Sequence, residues 1–290
     1  MTNYELFIET EKNLEAIACL RSIPKHELER YYTPPEPDYY YPQEFESIIY
    51  KRCSGLSFVF YKMIYHAQLE SPRLSNIVDL RKNFIFFRQL TRWFNPREFL
   101  DRYSEEESVE RILENLDFNG SVGLMWREWW EKDLVRKFAE TMLRCAAYLN
   151  NFSSEDEMLA DLKAHNNSRD ELISYFVDKG FSVKFSCSFL NAFYPSFDVP
   201  HLDSYIKDVM IIRYGRNKKY YNSTEGKIQL IRDTVHTIED INNTLTSQGE
   251  NPITLYRFHR MLYLVCTGKF YLHKNSGSKY SFLEKINGCF

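Results

Sequence analysis

Lys184 and Asp203 are the residues of this chain whose types and spacing suit covalent chemistry. They stand nineteen positions apart (203 − 184) within GFSVKFSCSFLNAFYPSFDVPHLDSYI, residues 180–206. A deprotonated lysine amine attacks an electrophilic carbon and forms a Schiff base with an opened carbonyl. A carboxylate at a helix N-terminus is held ionised and stabilises positive charge that develops in a transition state. The sequence puts both at helix starts. Lys184 opens an apolar segment running through Phe189 and Leu190, and Asp203 follows a Pro200-His201-Leu202 turn. An amine and a carboxylate at successive helix starts suit attack at a sugar carbon. Asp198 is a competing carboxylate that falls too early in this spacing.

The positioning elements read as two helices joined by a short turn, at about 168–194. Ser168 with Glu171 marks the start of the first, which carries Leu172, Ile173, Phe176 and Val177 and ends near Lys179-Gly180. The second begins near Ser182 with Val183, Phe185, Cys187, Phe189 and Leu190 on its apolar positions. The start of that second helix leaves backbone N–H groups free, with the helix dipole favouring negative charge, which is a phosphate-binding geometry.

On these residues the chain resembles the helix-hairpin-helix DNA glycosylase superfamily, in the lysine-bearing branch similar to 8-oxoguanine DNA glycosylases. The matching positions are Gly180 at the turn, Lys184 four residues on, the apolar helix through Phe189-Leu190, Pro195, and Val199-Pro200 leading to Asp203. Three positions depart from the family pattern. Ser182 stands where a second glycine is usual, Asp178-Lys179 replace an apolar residue and a proline, and Tyr205 replaces a histidine. The resemblance implies a two-lobed all-α fold and a double-stranded DNA partner with a modified nucleotide turned out of the stack. It implies Lys184 as the nucleophile at C1′, giving a Schiff base and β-elimination, and Asp203 as the stabilising carboxylate. Phe185 and Phe189 would desolvate the amine. Gly180, Ser182 and Val183 would hold the DNA backbone, and a C-terminal helix would bring Phe258 and His259, with Tyr205, to the base. No cofactor is called for, although a structural monovalent cation at the hairpin carbonyls is compatible with the family.

The remainder of the chain agrees with an all-α reading. Only ten glycines and ten prolines occur in 290 residues, and apolar residues recur at helical spacing. Helices are expected over Tyr4–Leu20, Phe45–Cys53, Leu56–Leu69, Leu74–Phe94, from Asn95-Pro96, from a Ser104/Glu107 capping box through Leu116, and over Leu124–Leu149. Ser153 or Ser154 caps a further helix, and others follow over Asp203–Tyr214, Thr224–Thr246 and Pro252–Cys266. The overall expectation is roughly ten to twelve helices. The prolines and tyrosines between Tyr31 and Pro42 mark an irregular stretch, and Asn119-Gly120-Ser121 with Gly123 a break. Trp126, Trp129 and Trp130 read as core. The expected organisation is one helical unit over 1–290, with lobes at 1–120 and 121–290.

Composition excludes several classes. Net charge is −3, so the chain is not uniformly basic. Basic residues nevertheless concentrate between Lys207 and Arg232, where Lys218 and Lys219 in the loop YGRNKKYYN are candidates for DNA-backbone contact. Six dispersed cysteines without a CxxC pair argue against zinc-ribbon and iron–sulfur sites and point to a reduced, cytoplasmic protein. Seven histidines are scattered, and no metal-binding, hydrolase-triad or phosphate-loop motif is present. No signal peptide or membrane span is expected, and nothing demands more than a monomer. The leading expectation is a DNA glycosylase acting on an oxidised purine in repair, or on a hypermodified base such as glucosylated hydroxymethylcytosine in phage defence. The rival is a non-catalytic helical DNA- or protein-binding module.

Overall fold

The computed structural model describes residues 1–32, 55–80, 82–103, 108–118, 129–268, 282–283 and 286–288. Among them the chain is all-helical, with no strand. The expected helix at Phe45–Cys53, the Tyr/Pro stretch beyond residue 32, the Ser104/Glu107 capping box, the break at 119–123 and Trp126 lie outside the described residues. Among the described residues, no helix is long and apolar enough to cross a membrane.

Among the described residues fourteen α-helices follow one another, two or more beyond the ten to twelve expected. They are α1 Asn3–Leu20, α2 Lys25–Arg30, α3 Leu56–Leu69, α4 Pro72–Ile77, α5 Phe84–Leu90, α6 Pro96–Arg102, α7 Ser108–Phe118, α8 Trp129–Leu149, α9 Glu155–Ala164, α10 Arg169–Asp178, α11 Val183–Phe193, α12 Ser204–Tyr214, α13 Thr224–Ser247 and α14 Leu255–Thr267. Their starts are set by local capping. Asn95 accepts from the Arg97 and Glu98 amides, Ser154 from Glu157, Ser168 from Glu171, and Ser223 from Gly226.

The chain divides into two compact units: Met1–Glu36, Ser168–Ser174 and Leu190–Phe290 in the first, Pro37–Asn167 and Tyr175–Phe189 in the second. The chain passes from one to the other four times, a partition that linear lobes at 1–120 and 121–290 do not contain. In the first unit α1, α12, α13 and α14 pack on one another around Leu6, Leu14, Ile206, Met210, Ile241, Phe258 and Leu262. In the second, α8 is the central helix, packed by α3, α6 and α7, with Phe60, Phe87, Phe99, Phe138 and Met142 buried.

The single helix expected over Leu74–Phe94 is two short helices, α4 and α5, followed by a turn. The Gln68 side chain accepts from the Leu80 amide at 2.9 Å and pulls the chain out of helix between α4 and α5. After α5, Arg92, Trp93 and Phe94 take φ of +50°, +60° and +57°. Left-handed backbone costs a residue with a Cβ roughly 1–2 kcal/mol, so three in succession require strong local restraint. Thr91 supplies part of it: its hydroxyl accepts from the Phe94 amide at 3.0 Å and donates to the Phe87 carbonyl. Phe94 is fully buried, edge-on to Tyr61 and stacked on Phe84.

Candidate active site

Lys184 belongs to the second unit and Asp203 to the first. The turn before Lys184 follows from two residues. Gly180, at φ +85°, ends α10: the Phe181 amide reaches the Phe176 carbonyl and the Gly180 amide the Val177 carbonyl, a Schellman ending. A Cβ at Gly180 would also stand 2.9 Å from Arg144 Nε. Ser182, in place of the second glycine, caps α11 by accepting from the Phe185 amide at 3.0 Å. Its hydroxyl in turn donates to the Glu70 carboxylate. Lys184 Nζ donates to the Glu70 main-chain carbonyl at 2.7 Å. The end of α3 therefore holds both residues. Gly180 and Ser182 are exposed and Val183 is buried. Phe185 and Phe189, expected to desolvate the amine, are stacked on one another, with Phe181 stacked on Phe185, inside the second unit's aromatic core.

Asp203 is the N-cap of α12. One carboxylate oxygen accepts from the Tyr205 amide at 2.8 Å and the Ile206 amide at 3.0 Å. The other faces His259 Nε2 at 2.7 Å. An ionised carboxylate only accepts, so the proton of that bond sits on Nε2. His259 Nδ1 is buried without a hydrogen-bond partner. Burial pulls the Asp203 carboxyl upward, but the hydrogen bond and charge of His259, the Ile206 amide and the charge of His201 outweigh it. The net direction is below the ordinary carboxylate value. The His201 and His259 rings lie 4.7 Å apart. Donor atoms of His201, Asp203 and His259 all fall within 4.8 Å of one another, the one such group among the described residues. Two imidazoles and a carboxylate are a donor set for a borderline divalent ion. Here, however, the carboxylate is already committed to two amides and an imidazole.

The other anticipated residues separate. Tyr205 is half-buried, edge-on to Tyr263 at 5.8 Å. Phe258, anticipated at the base, is 0% exposed and packs in the core of the first unit. Asp198, the competing carboxylate, accepts from the Leu255 amide at 3.2 Å and so holds the start of α14. Lys218 and Lys219 are exposed. Their loop is fixed by the buried Asp233, which takes two bonds from Arg216 (2.8 and 3.1 Å), one from Gln229 (2.8 Å) and one from Tyr221. Burial and that last bond push the Tyr221 phenol far above its ordinary range.

Sequence reasoning gave no role to Glu70, His201 or Asp233. His201 had a local signal, two positions before Asp203; the other two had none. Comparisons with protein-family models, curated proteins and solved structures gave no match.

Proposed function

We propose that this chain is a DNA glycosylase that excises a modified base from an extruded nucleotide and leaves an abasic site. The observation that carries the reading is the half-buried Asp203 carboxylate, fixed at the head of α12 and kept ionised by His259. A fixed negative charge of this kind stabilises an oxocarbenium-like sugar as the base departs. Lys184 is assigned the nucleophile: its neutral amine bonds to C1′, the base leaves with the bonding pair, and ring opening gives the Schiff base from which the 3′ phosphate is eliminated. Gly180, Ser182, Val183, Lys218 and Lys219 are assigned to the phosphate backbone, and Tyr205 to the base. Oxidised purines and hypermodified phage bases are the two substrate classes.

The 2.7 Å bond from Lys184 to the Glu70 carbonyl favours a second reading, in which the lysine stays a charged anchor and water attacks under Asp203. Borohydride trapping separates the two. With oligonucleotides carrying candidate bases, the nucleophile reading expects a covalent adduct that Lys184→Gln abolishes. Base release without an adduct assigns attack to water. Undiminished release by folded Lys184→Gln and Asp203→Asn proteins sinks both. Mass spectrometry of bases released from differently modified genomic DNAs identifies the substrate.

A further inference from the structure

Arg88, Arg92 and Arg102, with Gln89 and Trp93, line a cavity of about 320 Å³ in the second unit. That volume is in the range of small-ligand sites. The segment from Arg81 to Arg102 carries six basic residues against Glu98 and Asp101, a local charge of +4 (6 − 2) in a chain whose net charge is −3. Among the described residues, none of the three lining guanidiniums makes an ion pair. Arg88 lies over the Trp93 ring at 4.2 Å, which fixes the plane of its donor fork.

The backbone that builds the cavity is the left-handed run Arg92-Trp93-Phe94. It is locked by the Trp93 amide on the Arg88 carbonyl at 2.8 Å, the Asn95 amide on the Thr91 carbonyl at 3.1 Å, and Phe94 in the core. Strained backbone held by its surroundings is found where a chain aims side chains at a ligand. Beside it, the Tyr103 hydroxyl is buried without a hydrogen-bond partner, in a residue only 2% exposed. The charges of Arg102, Arg111 and Arg92 all bear on that phenol, against the upward push of burial.

We propose that Arg88, Arg92 and Arg102 form a preorganised receptor for a phosphate ester. Three guanidiniums lining one cavity offer more donors than a lone carboxylate can take, and they match the non-bridging oxygens of a phosphate, three on a monoester and two on a diester. The phosphate comes from a nucleic-acid backbone or from a free nucleotide. Neither base excision nor Lys184 and Asp203 enter this proposal.

The test measures binding and needs no excision. Wild type, Arg92→Gln/Arg102→Gln, Arg92→Lys and Arg97→Gln are titrated with pyrophosphate and dAMP by calorimetry. Duplex and single-stranded oligonucleotides are titrated by anisotropy across a salt series. Arg97 is exposed on α6 and does not line the cavity, so it controls for loss of charge alone. Thermal midpoints verify folding. Each phosphate contact contributes about 0.7–0.9 to the salt slope. With a backbone ligand, the double variant therefore loses about 0.7–0.9 of slope, one phosphate contact, and binds at least tenfold more weakly. Arg92→Lys loses affinity without that loss of slope, and Arg97→Gln behaves as wild type. Pyrophosphate or dAMP binding abolished in the double variant, with DNA binding unchanged, assigns the site to a free nucleotide. Equal losses in Arg97→Gln, or wild-type binding of every probe by the double variant, overturn the proposal.

Discussion

Two aspartates of the first unit, Asp203 and Asp233, are both largely withdrawn from water, at 19% and 6% side-chain exposure, yet their partners differ in kind. Asp233 is saturated by groups that keep their protons at any ordinary pH: a two-pronged guanidinium, an amide and a phenol. Asp203 has two backbone amides and one imidazole, a ring with two nitrogens that can each donate or accept a proton. The imidazole's far nitrogen is buried and unbonded. A carboxylate that only pins a loop gains from a permanent cation. One that meets changing charge during a reaction gains from a partner that changes with it. Asp233 thus holds the Lys218-Lys219 loop, while the partners of Asp203 suit the chemistry proposed for it.

The sharpest break between them is Asp203→Asn. It keeps the cap's acceptor, so stability falls by no more than about 1 kcal/mol. Loss of the charge lowers base excision about 10²–10³-fold, read in single-turnover assays beside urea denaturation. Asp233→Ala reverses that pattern. Charge-assisted bonds of about 1.5–3 kcal/mol each are lost, while the partly exposed Arg216 relaxes into water. A net loss of about 3 kcal/mol in denaturation is expected, with single-turnover excision by the folded fraction near wild type. Equal destabilisation by both substitutions would remove the distinction.

Smaller effects refine it. His259→Gln retains an N–H for Asp203 but no nitrogen that accepts a proton. Excision falls about tenfold, equivalent to about 1.4 kcal/mol, in single-turnover assays of the folded protein. A purely structural His259 would shift stability and leave excision by the folded fraction intact. The smallest effect is acid sensitivity. Because the folded Asp203 carboxyl lies below its unfolded value, its contribution is complete above the unfolded value and lost as pH falls through the folded one. Wild type therefore loses stability below about pH 4 more steeply than Asp203→Asn, as measured by thermal midpoints from pH 5 to 2.

Much of the helical fold was legible, because caps and periodicity act between near neighbours. Asn95, Ser154, Ser168 and Asp203 each bond amides two or three residues on. The expected helix over Leu74–Phe94 shows the limit. Its apolar spacing is helical, but the break depends on Gln68, twelve residues before the amide it captures. Phe258 and His259 are adjacent in sequence, and the same periodicity could not tell which entered the core and which met a carboxylate.

By itself, then, the sequence determined the all-helical class, most helix starts, the Gly180 turn and the capping role of Asp203, all matters of local backbone hydrogen bonding. Tertiary structure alone decided the partners. It brought His259 to Asp203 across fifty-six residues (259 − 203) and Glu70 to Lys184, and it gathered three arginines around a left-handed turn. These depend on how helix faces pack, and the periodicity of one helix does not specify which other helix covers it.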